Sequence, residues 1–260
     1  MESQCSGPHN NVDIENAVSV NDHCEDCVNS TLESIGIGRF HATVFLPVIL
    51  ASGADLSEVF GIGVVLPAMK DAFNLDKVAM STYTMVPSIG YLIGSVFFGV
   101  VGDRFGRKPV LIIGCAGTFV FGALSALSSC FKMLLALRFV TALFASGVLP
   151  AAFPLACEWV SYRHYRLAII LIIAGGSLIL ALFVQLFSKF LLVGPNPQWR
   201  LYVLIQATPS LIAALSCITL SESPRLFYRR GKLTACISLL EKAARINKVD
   251  IPPWAIYLSS

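Results

Sequence analysis

The feature that most constrains this chain is a series of long apolar stretches, each close to the length of a membrane-spanning helix. Six of them occur, at residues 43–66, 80–101, 110–130, 133–157, 167–190 and 201–221. A helix needs roughly 20 apolar residues to cross the bilayer core, whereas the strands of a membrane barrel are about 10 residues of alternating polarity. With 55% hydrophobic and 13% charged residues and a mean hydropathy of +0.72, the chain is predicted to be an all-α polytopic membrane protein with six transmembrane helices.

The polar ends of the chain set its expected orientation. Residues 1–40 contain no long apolar run and carry many acidic residues against the single base Arg39, which predicts a disordered polar tail. Lys and Arg concentrate in the segments that lie on the same side as the N-terminus. The positive-inside rule therefore predicts that both termini are cytosolic. The membrane itself is expected to be either the plasma membrane or an intracellular vesicle membrane. The net charge of +3 follows from this topology, and no nucleic-acid partner is expected.

Two short motifs in the tail need an interpretation. The string "HCEDC" places His23, Cys24 and Cys27 in half of a zinc-site pattern, but no second ligand pair follows. We therefore expect no metal and no other cofactor. The string "NST" at Asn29 matches the glycosylation sequon, and a cytosolic tail is expected to stay unmodified.

The stretch "ASGADLSEVFGIG", residues 51–63, places two carboxylates inside the first apolar segment. Asp55 and Glu58 are three residues apart, so they share one helix face. Each buried charge costs about 2.5–3.5 kcal/mol on insertion scales, which predicts that this face is turned to the bundle interior. Arg138 lies at a similar depth in the fourth stretch and is the predicted partner of Glu58. Two interpretations remain: a static ion pair that fixes helix register, or an acid that binds a cationic group or a proton in a central cavity.

The loop between the second and third stretches, "GVVGDRFGRKPVL" at residues 99–111, combines glycines with charges. Gly99 and Gly106 permit close helix approach and positive φ angles. The charged members are Asp103, Arg104, Arg107 and Lys108. A generic basic anchor would account for the bases but not for the acid or the glycine spacing. The string resembles the G-x-x-x-D-R-x-G-R-[RK] signature of the major facilitator superfamily, which lies in the same loop and acts in conformational gating.

Four further segments resemble the same superfamily. "SESPRLFYRRGK" at residues 221–232 is similar to the P-E-S-P-R-[WF] motif after the sixth span, and "QWRLYVLIQATPS" at 198–210 resembles the W-R entry into that span. The pattern from Asp55 to Asp71 and "ESIGIGRFH" at 33–41 look most like the synaptic vesicle glycoprotein 2 family and its relatives. The resemblance implies a six-helix N-terminal half of a major facilitator fold over residues 41–221.

The chain departs from the family pattern in two places. In the fourth stretch, Ala142 and Phe144 stand where the R-x-x-x-G-x-G pattern has glycines, so close packing of that helix needs another explanation. After it, the E-x-x-P-x-x-x-R pattern has its proline where Ser161 stands and its arginine where Tyr165 stands. Arg163 and Arg166 flank the second gap, and either could substitute.

The resemblance also implies a salt-bridge network at the inner ends of the spans that latches the two halves in one alternating-access state. Its expected members are Asp103, Arg104 and Arg107 together with Glu158, Arg166, Glu222 and Arg225. Residues 222–260 are expected to form a cytosolic linker with a short amphipathic helix, whose apolar face holds Leu233, Ile237, Leu240 and Ala244. That helix either lies on the membrane surface or, as the resemblance implies, braces the linker.

Members of this superfamily normally have two six-span halves around a central site, and this sequence contains one. A second half is expected, in the same full-length chain or in another subunit. The chain is then a fragment, a truncated product or a half-transporter, and the sequence leaves these three alternatives open.

The expected function is the N-terminal half of a secondary-active transporter that moves a small organic solute, such as an organic cation, by alternating access. The alternative is a membrane interaction or regulatory protein on a transporter scaffold. No enzymatic activity is expected, because no phosphate-binding loop or nucleophile arrangement occurs.

Overall fold

The computed structural model describes residues 28–192 and 198–249, and within these ranges the chain is helical, with short turns and no strand. A short helix, α1, covers residues 28–35. The longer elements are α2 Arg39–Phe73, α3 Lys77–Phe105, α4 Arg107–Ala126, α5 Phe131–Ala145, α6 Val148–Cys157, α7 Tyr165–Leu191, α8 Trp199–Ile218, α9 Pro224–Arg229 and α10 Leu233–Asn247. A 3₁₀ turn, Tyr162–His164, precedes α7.

The six predicted spans are confirmed as α2, α3, α4, the pair α5–α6, α7 and α8, each long and apolar enough to cross a membrane. Local signals set the boundary between the first two spans. Asn74 ends α2 in the left-handed conformation, with a φ of 49°. Asp76 then caps α3, because its Oδ1 accepts a hydrogen bond from the backbone N–H of Ala79 at 2.8 Å.

The fourth span is broken into two helices, where the sequence predicted one stretch over residues 133–157. Ser146 and Gly147 form the break between α5 and α6. Pro150 explains it, because proline has no N–H to donate to the Ser146 carbonyl and its ring clashes with that carbonyl. Gly147 lies against Phe98 of α3, so closely that a Cβ at this position would be 2.7 Å from the ring. The lack of a side chain at Gly147 therefore lets the Phe98 ring approach the backbone at the break.

Glycines on neighbouring helices allow α5 to pack closely although it lacks the family's own glycines. The largest helix contacts are α4 with α8, α2 with α7 and α3 with α5. Gly90 of α3 lies under the backbone of α5, where a Cβ would be 2.6 Å from the Phe139 carbonyl oxygen. Gly114 of α4 approaches α5 in the same way, and a Cβ there would be 3.1 Å from the Phe144 carbonyl oxygen. Small residues at such interfaces let helix backbones come together in lipid.

Part of the predicted disordered tail is ordered in the structure. Residues 28–35 form α1, and Val28, Leu32 and Ile35 are buried in the main apolar cluster of the bundle. Their spacing of i, i+4 and i+7 is the helical period, which the acidic character of the rest of the tail obscured. The zinc-like motif of His23, Cys24 and Cys27 lies outside the described residues.

The linker helix α10 packs on the bundle instead of presenting its apolar face to lipid. Its buried residues are Cys236, Leu240, Ala243 and Ala244. Two of them, Leu240 and Ala244, belong to the predicted face, whose other members, Leu233 and Ile237, are half-buried. Asn247 at its end accepts a hydrogen bond from the Phe40 N–H at 2.9 Å and donates to the Gly36 carbonyl at 3.2 Å. Asn247 thus joins α10 to the start of α2. Residues 250–260 lie outside the described part of the chain.

Replacing Gly90 with alanine is expected to destabilise the bundle by about 1–3 kcal/mol, because the added methyl group would overlap the backbone of α5. The measurement is thermal unfolding of the purified protein in detergent. Gly63→Ala is the matched control, because Gly63 also lies within a membrane helix and a Cβ there meets nothing within 4 Å. Equal stability of the two variants would contradict the packing described for α3 and α5.

Candidate functional site

The centre of the bundle contains a buried ion pair between Glu58 of α2 and Arg138 of α5. Arg138 Nη1 lies 2.9 Å from Glu58 Oε2. The two residues are only 3% and 2% exposed. The structure thus forms the pair whose partners the sequence placed at similar depths.

A glutamine of α8 supports the acid from a third helix. Gln206 Nε2 donates to the Ser57 carbonyl at 3.0 Å and lies 3.5 Å from Glu58 Oε2. Gln206 packs over Gly61, where any side chain would overlap its amide. Gln206 was not among the predicted site residues, although a lone amide inside an apolar span is a signal of a buried polar contact.

Asp55 has a different environment from Glu58. It is 4% exposed, and its Oδ1 accepts a hydrogen bond from the Tyr91 hydroxyl of α3 at 3.3 Å. No ion pair to Asp55 occurs among residues 28–192 and 198–249. The site therefore brings together two carboxylates and one guanidinium, and Asp55 is the acid without a cationic partner. Tyr91 was not predicted, because a tyrosine in an apolar helix carries little signal of its own.

A cleft with an empty volume of about 200 Å³, including its open mouth, reaches this cluster from the side of α3 and α5. Its lining includes Glu58, Tyr91, Arg138 and Thr141. Several buried polar atoms at the cluster have no hydrogen-bond partner among the described residues: Glu58 Oε1, Arg138 Nε and Nη2, and the hydroxyls of Tyr83 and Tyr202. Buried polar groups are nearly always paired with protein, water or ligand, so this cluster can bind further polar groups.

The glycine-rich loop forms a second charged site at one end of the bundle, which we call the loop end. Arg107 lies between two acids, with Nη2 3.5 Å from Asp103 Oδ1 and Nε 3.4 Å from Glu158 Oε1. Its Nη1 also donates to the Pro150 carbonyl at 3.4 Å. The Asp103 side chain is 75% exposed, so its pair with Arg107 is solvated and weak, whereas the Glu158 side chain is only 16% exposed. Gly99 and Asp103 border a cleft of about 420 Å³ empty volume beside this cluster.

The remaining loop residues hold the loop in place through backbone contacts. Gly106 has a φ of 111°, and a Cβ there would lie 2.7 Å from Glu222 Oε2, so both conformation and space require glycine. Lys108 Nζ donates to the Ile218 carbonyl at the end of α8 at 2.9 Å. The carbonyl of Arg104 accepts a hydrogen bond from Arg230. In the described chain the Arg104 side chain takes part in no ion pair.

Three further members of the implied salt-bridge network form no ion pair within the described residues. Arg225 stacks its guanidinium over the rings of Tyr162 and Tyr165, 4.5 and 5.5 Å from their centroids, and donates to the Val160 carbonyl. Glu222 accepts a hydrogen bond from the backbone N–H of the next residue. Arg166 is exposed and forms no ion pair within the described ranges. Tyr165 stands where the family pattern has arginine, so Arg225 meets an aromatic ring there instead of a second positive charge.

The described residues contain no group of three or more His, Cys, Asp or Glu side chains placed to hold a metal ion. The central cluster consists of carboxylate, guanidinium, amide and phenol groups. These groups bind charged and polar organic molecules by ion pairing and hydrogen bonding.

Comparison with known proteins identifies the family. The model of the Major Facilitator Superfamily matches residues 48–258. The chain is 30% identical to organic cation/carnitine transporter 7 of Arabidopsis thaliana, over 88% of this chain and 45% of that protein. It is 29% identical to the synaptic vesicle 2-related protein of Rattus norvegicus, over 89% of this chain and 42% of that protein. The chain thus spans less than half the length of these relatives.

The fold likeness agrees with the sequence matches. The xylose transporter XylE from E. coli, in a partially occluded inward open conformation, superposes with a TM-score of 0.69 at 17% identity, over 85% of this chain and 57% of that one. These findings confirm the six-helix half-fold and the synaptic-vesicle-2-related branch that the motifs predicted. The chain belongs to the Major Facilitator Superfamily.

Proposed function

We propose that the chain is the N-terminal half of a secondary-active transporter that moves a small organic solute, with a cationic group of the solute bound at Asp55. In this proposal a second six-helix half, in the same full-length chain or another subunit, completes the central site. Both termini and the loop end face the cytosol.

The observation that supports a cation site most directly is the imbalance of charge at the buried cluster. Glu58 is paired with Arg138 at 2.9 Å, whereas Asp55 accepts one hydrogen bond from the neutral Tyr91 hydroxyl. An unpaired acid inside a membrane protein is costly and is typical of a substrate, ion or proton site. A cation or a proton at Asp55 neutralises the remaining charge.

The names of the relatives support a transport role. One relative is named for organic cations and carnitine, and the structural neighbour is a xylose transporter. Both are transporters of small organic molecules. An acidic central site favours the cationic solute over the sugar as the type transported here.

The loop-end cluster is proposed to latch one state of the transport cycle. Asp103, Arg107 and Glu158 join the start of α4 to the end of the fourth span through contacts of 3.4–3.5 Å. The exposed pair with Asp103 contributes only about 0–1 kcal/mol, which suits a contact that must break and re-form during each cycle. Gly106 and Lys108 position this loop against Glu222 and α8.

Similarity to a synaptic vesicle 2-related protein favours one second candidate, a membrane interaction or regulatory protein on the same scaffold. In that role the polar N-terminal segment would recruit partners and the central acid would be a structural remnant. The two candidates differ in what neutralising Asp55 does to solute uptake.

Replacing Asp55 with asparagine is expected to lower saturable uptake of a tetraalkylammonium probe on the order of 10- to 100-fold, because a charge-assisted contact is lost. Uptake is measured in cells that express the full-length protein at matched surface levels. Asp71→Asn is the control, because Asp71 is an exposed acid of the same helix. Undiminished uptake by the Asp55 variant would refute a cation site there, and absence of uptake by the wild type would favour the interaction role.

Replacing Asp103 with asparagine is expected to slow transport several-fold while changing the free energy of unfolding by no more than about 0.5 kcal/mol, since its side chain is largely exposed. Initial uptake rates and thermal unfolding in detergent measure the two effects. Wild-type rates from a correctly inserted Asp103→Asn protein would defeat the latch proposal. A large loss of stability would assign Asp103 to folding instead.

A further inference from the structure

We propose that the acidic segment before α1, residues 1–27, docks on a surface of exposed bases around α1, which we call the basic rim. The rim is formed by the start of α2, the 3₁₀ turn before α7 and the exposed face of α10. This inference does not depend on the transport proposal, because it concerns only charges outside the central cluster. The members of the rim are Arg39, Arg163, Lys242, Arg245 and Lys248.

The side chain of Asn247 joins the three elements that meet at one end of the rim. Its Oδ1 accepts a hydrogen bond from the Phe40 N–H at 2.9 Å. Its Nδ2 donates to the carbonyls of Ile35 and Gly36, at 3.4 and 3.2 Å. The end of α1, the start of α2 and the end of α10 are therefore held together, and the charged residues beside them keep fixed relative positions.

Four of the five bases lie at or near this joint. Arg39 is the first residue of α2, whereas Arg245 and Lys248 lie at the end of α10. Lys242 is exposed one helix turn before Arg245, so the two share one stripe of the helix. This stripe lies opposite the buried face that packs α10 on the bundle, and its bases are open to solvent.

The fifth base lies beside the first described turn of α1. Asn29 Oδ1 accepts a hydrogen bond from the Tyr162 N–H at 3.1 Å, and the exposed Arg163 follows directly. Glu33 of α1 accepts a second hydrogen bond from Ser161 Oγ at 3.1 Å. These contacts hold α1 along the turn, so the chain passes close to Arg163 as it enters α1.

The charge of the rim is not balanced by the described residues around it. None of the five bases forms an ion pair within residues 28–192 and 198–249. The acids of α1 and α10 are Glu33 and Glu241, and the first turn of α2 contains none. Five bases against two acids leave an excess of positive charge, and such a surface attracts an acidic partner.

The acidic segment complements the rim in charge and is attached beside it. Residues 1–27, which lie outside the described part of the chain, contain six acids and no Lys or Arg. Three of the acids, Asp22, Glu25 and Asp26, lie two to six residues before Val28. Six extended residues reach up to ~20 Å, whereas the eight residues of α1 span only about 12 Å. These acids can therefore reach bases at both ends of α1.

Attachment to the same chain favours this occupant over an anionic lipid surface or a separate acidic protein. A tethered segment has an effective concentration on the order of millimolar at its docking surface. Exposed ion pairs are individually weak, so docking needs several pairs at once and is reversible. Docking covers the rim and withholds the segment from other partners.

Carbodiimide cross-linking tests the contact, because the reagent joins a carboxylate to a lysine amine without a spacer. The full-length protein is treated in nanodiscs of neutral phosphatidylcholine, and linked peptides are quantified by mass spectrometry. We expect links from the acids of residues 1–27 to Lys242 and Lys248. Their yield is expected to be at least about fivefold lower at about 1 M salt than at about 0.15 M, because the screening length falls from about 8 to about 3 Å.

Lys232 is the matched control for these links. It is an exposed lysine at the opposite end of the same helix, about 15 Å from Lys242 along the helix axis. Links from the segment to Lys232 are expected to be at least about fivefold rarer than links to Lys242, since exposed charges farther apart than a screening length interact little. Equal yields at the two lysines would overturn the inference.

A charge swap tests the pairing itself. Arg245→Glu together with Lys248→Glu is expected to lower the yield of links to Lys242 at least about threefold, because the segment is then repelled. Both bases are exposed, and thermal unfolding, measured alongside, is expected to stay unchanged. Adding Glu25→Lys and Asp26→Lys to the same chain is expected to restore the contact, as links between residues 25–26 and 245–248. Failure to restore it would contradict docking at the rim.

Nanodiscs that contain about 30% phosphatidylserine distinguish the membrane as an alternative occupant, since anionic lipid attracts basic residues near its surface. Links that persist in these nanodiscs support docking of the acidic segment. Links that form in neutral nanodiscs but vanish in anionic ones would assign the rim to the lipid surface and overturn the inference. Links absent from both would overturn it as well.

Discussion

The ion pair between Glu58 and Arg138 joins two membrane helices at a point where neither charge reaches water. Removing such ions from water costs several kcal/mol each. The attraction between the two charges offsets this cost only when the geometry is good and further hydrogen bonds are made. The 2.9 Å contact between Arg138 Nη1 and Glu58 Oε2 and the nearby amide of Gln206 supply part of this geometry and hydrogen bonding. We propose that the pair fixes the register of α2 against α5, and with it the position of Asp55, three residues before Glu58 on α2.

The molecule separates its charges into two sites with different physics. At the centre, burial makes each charge costly, and Asp55 without a cationic partner is the feature on which the transport proposal depends. At the loop end, Arg107 contacts two acids at 3.4–3.5 Å, and salt weakens its contact with the exposed Asp103. We propose that a buried central site and a partly solvated latch together serve a protein that binds a solute and changes shape around it.

The sequence predicted the six spans because long apolar runs have few alternatives in a membrane. It also predicted the partner of Glu58, since a buried acid needs a base at equal depth. It did not predict Tyr83, Tyr91, Tyr202 or Gln206, because neutral polar residues in apolar helices leave hydropathy almost unchanged. The ring contacts of Arg225 with Tyr162 and Tyr165 were not predicted either, since the family pattern indicates salt bridges to carboxylates at this end of the bundle.

The most direct test of the central ion pair is a double-mutant cycle with Glu58→Gln and Arg138→Met, measured by thermal unfolding in detergent. Each single variant leaves a buried group unpaired and is predicted to destabilise the protein by about 3–5 kcal/mol. The double variant is predicted to lose less than the sum, with a coupling energy of at least about 1 kcal/mol. Additive losses would contradict the pair as the interaction that fixes the site.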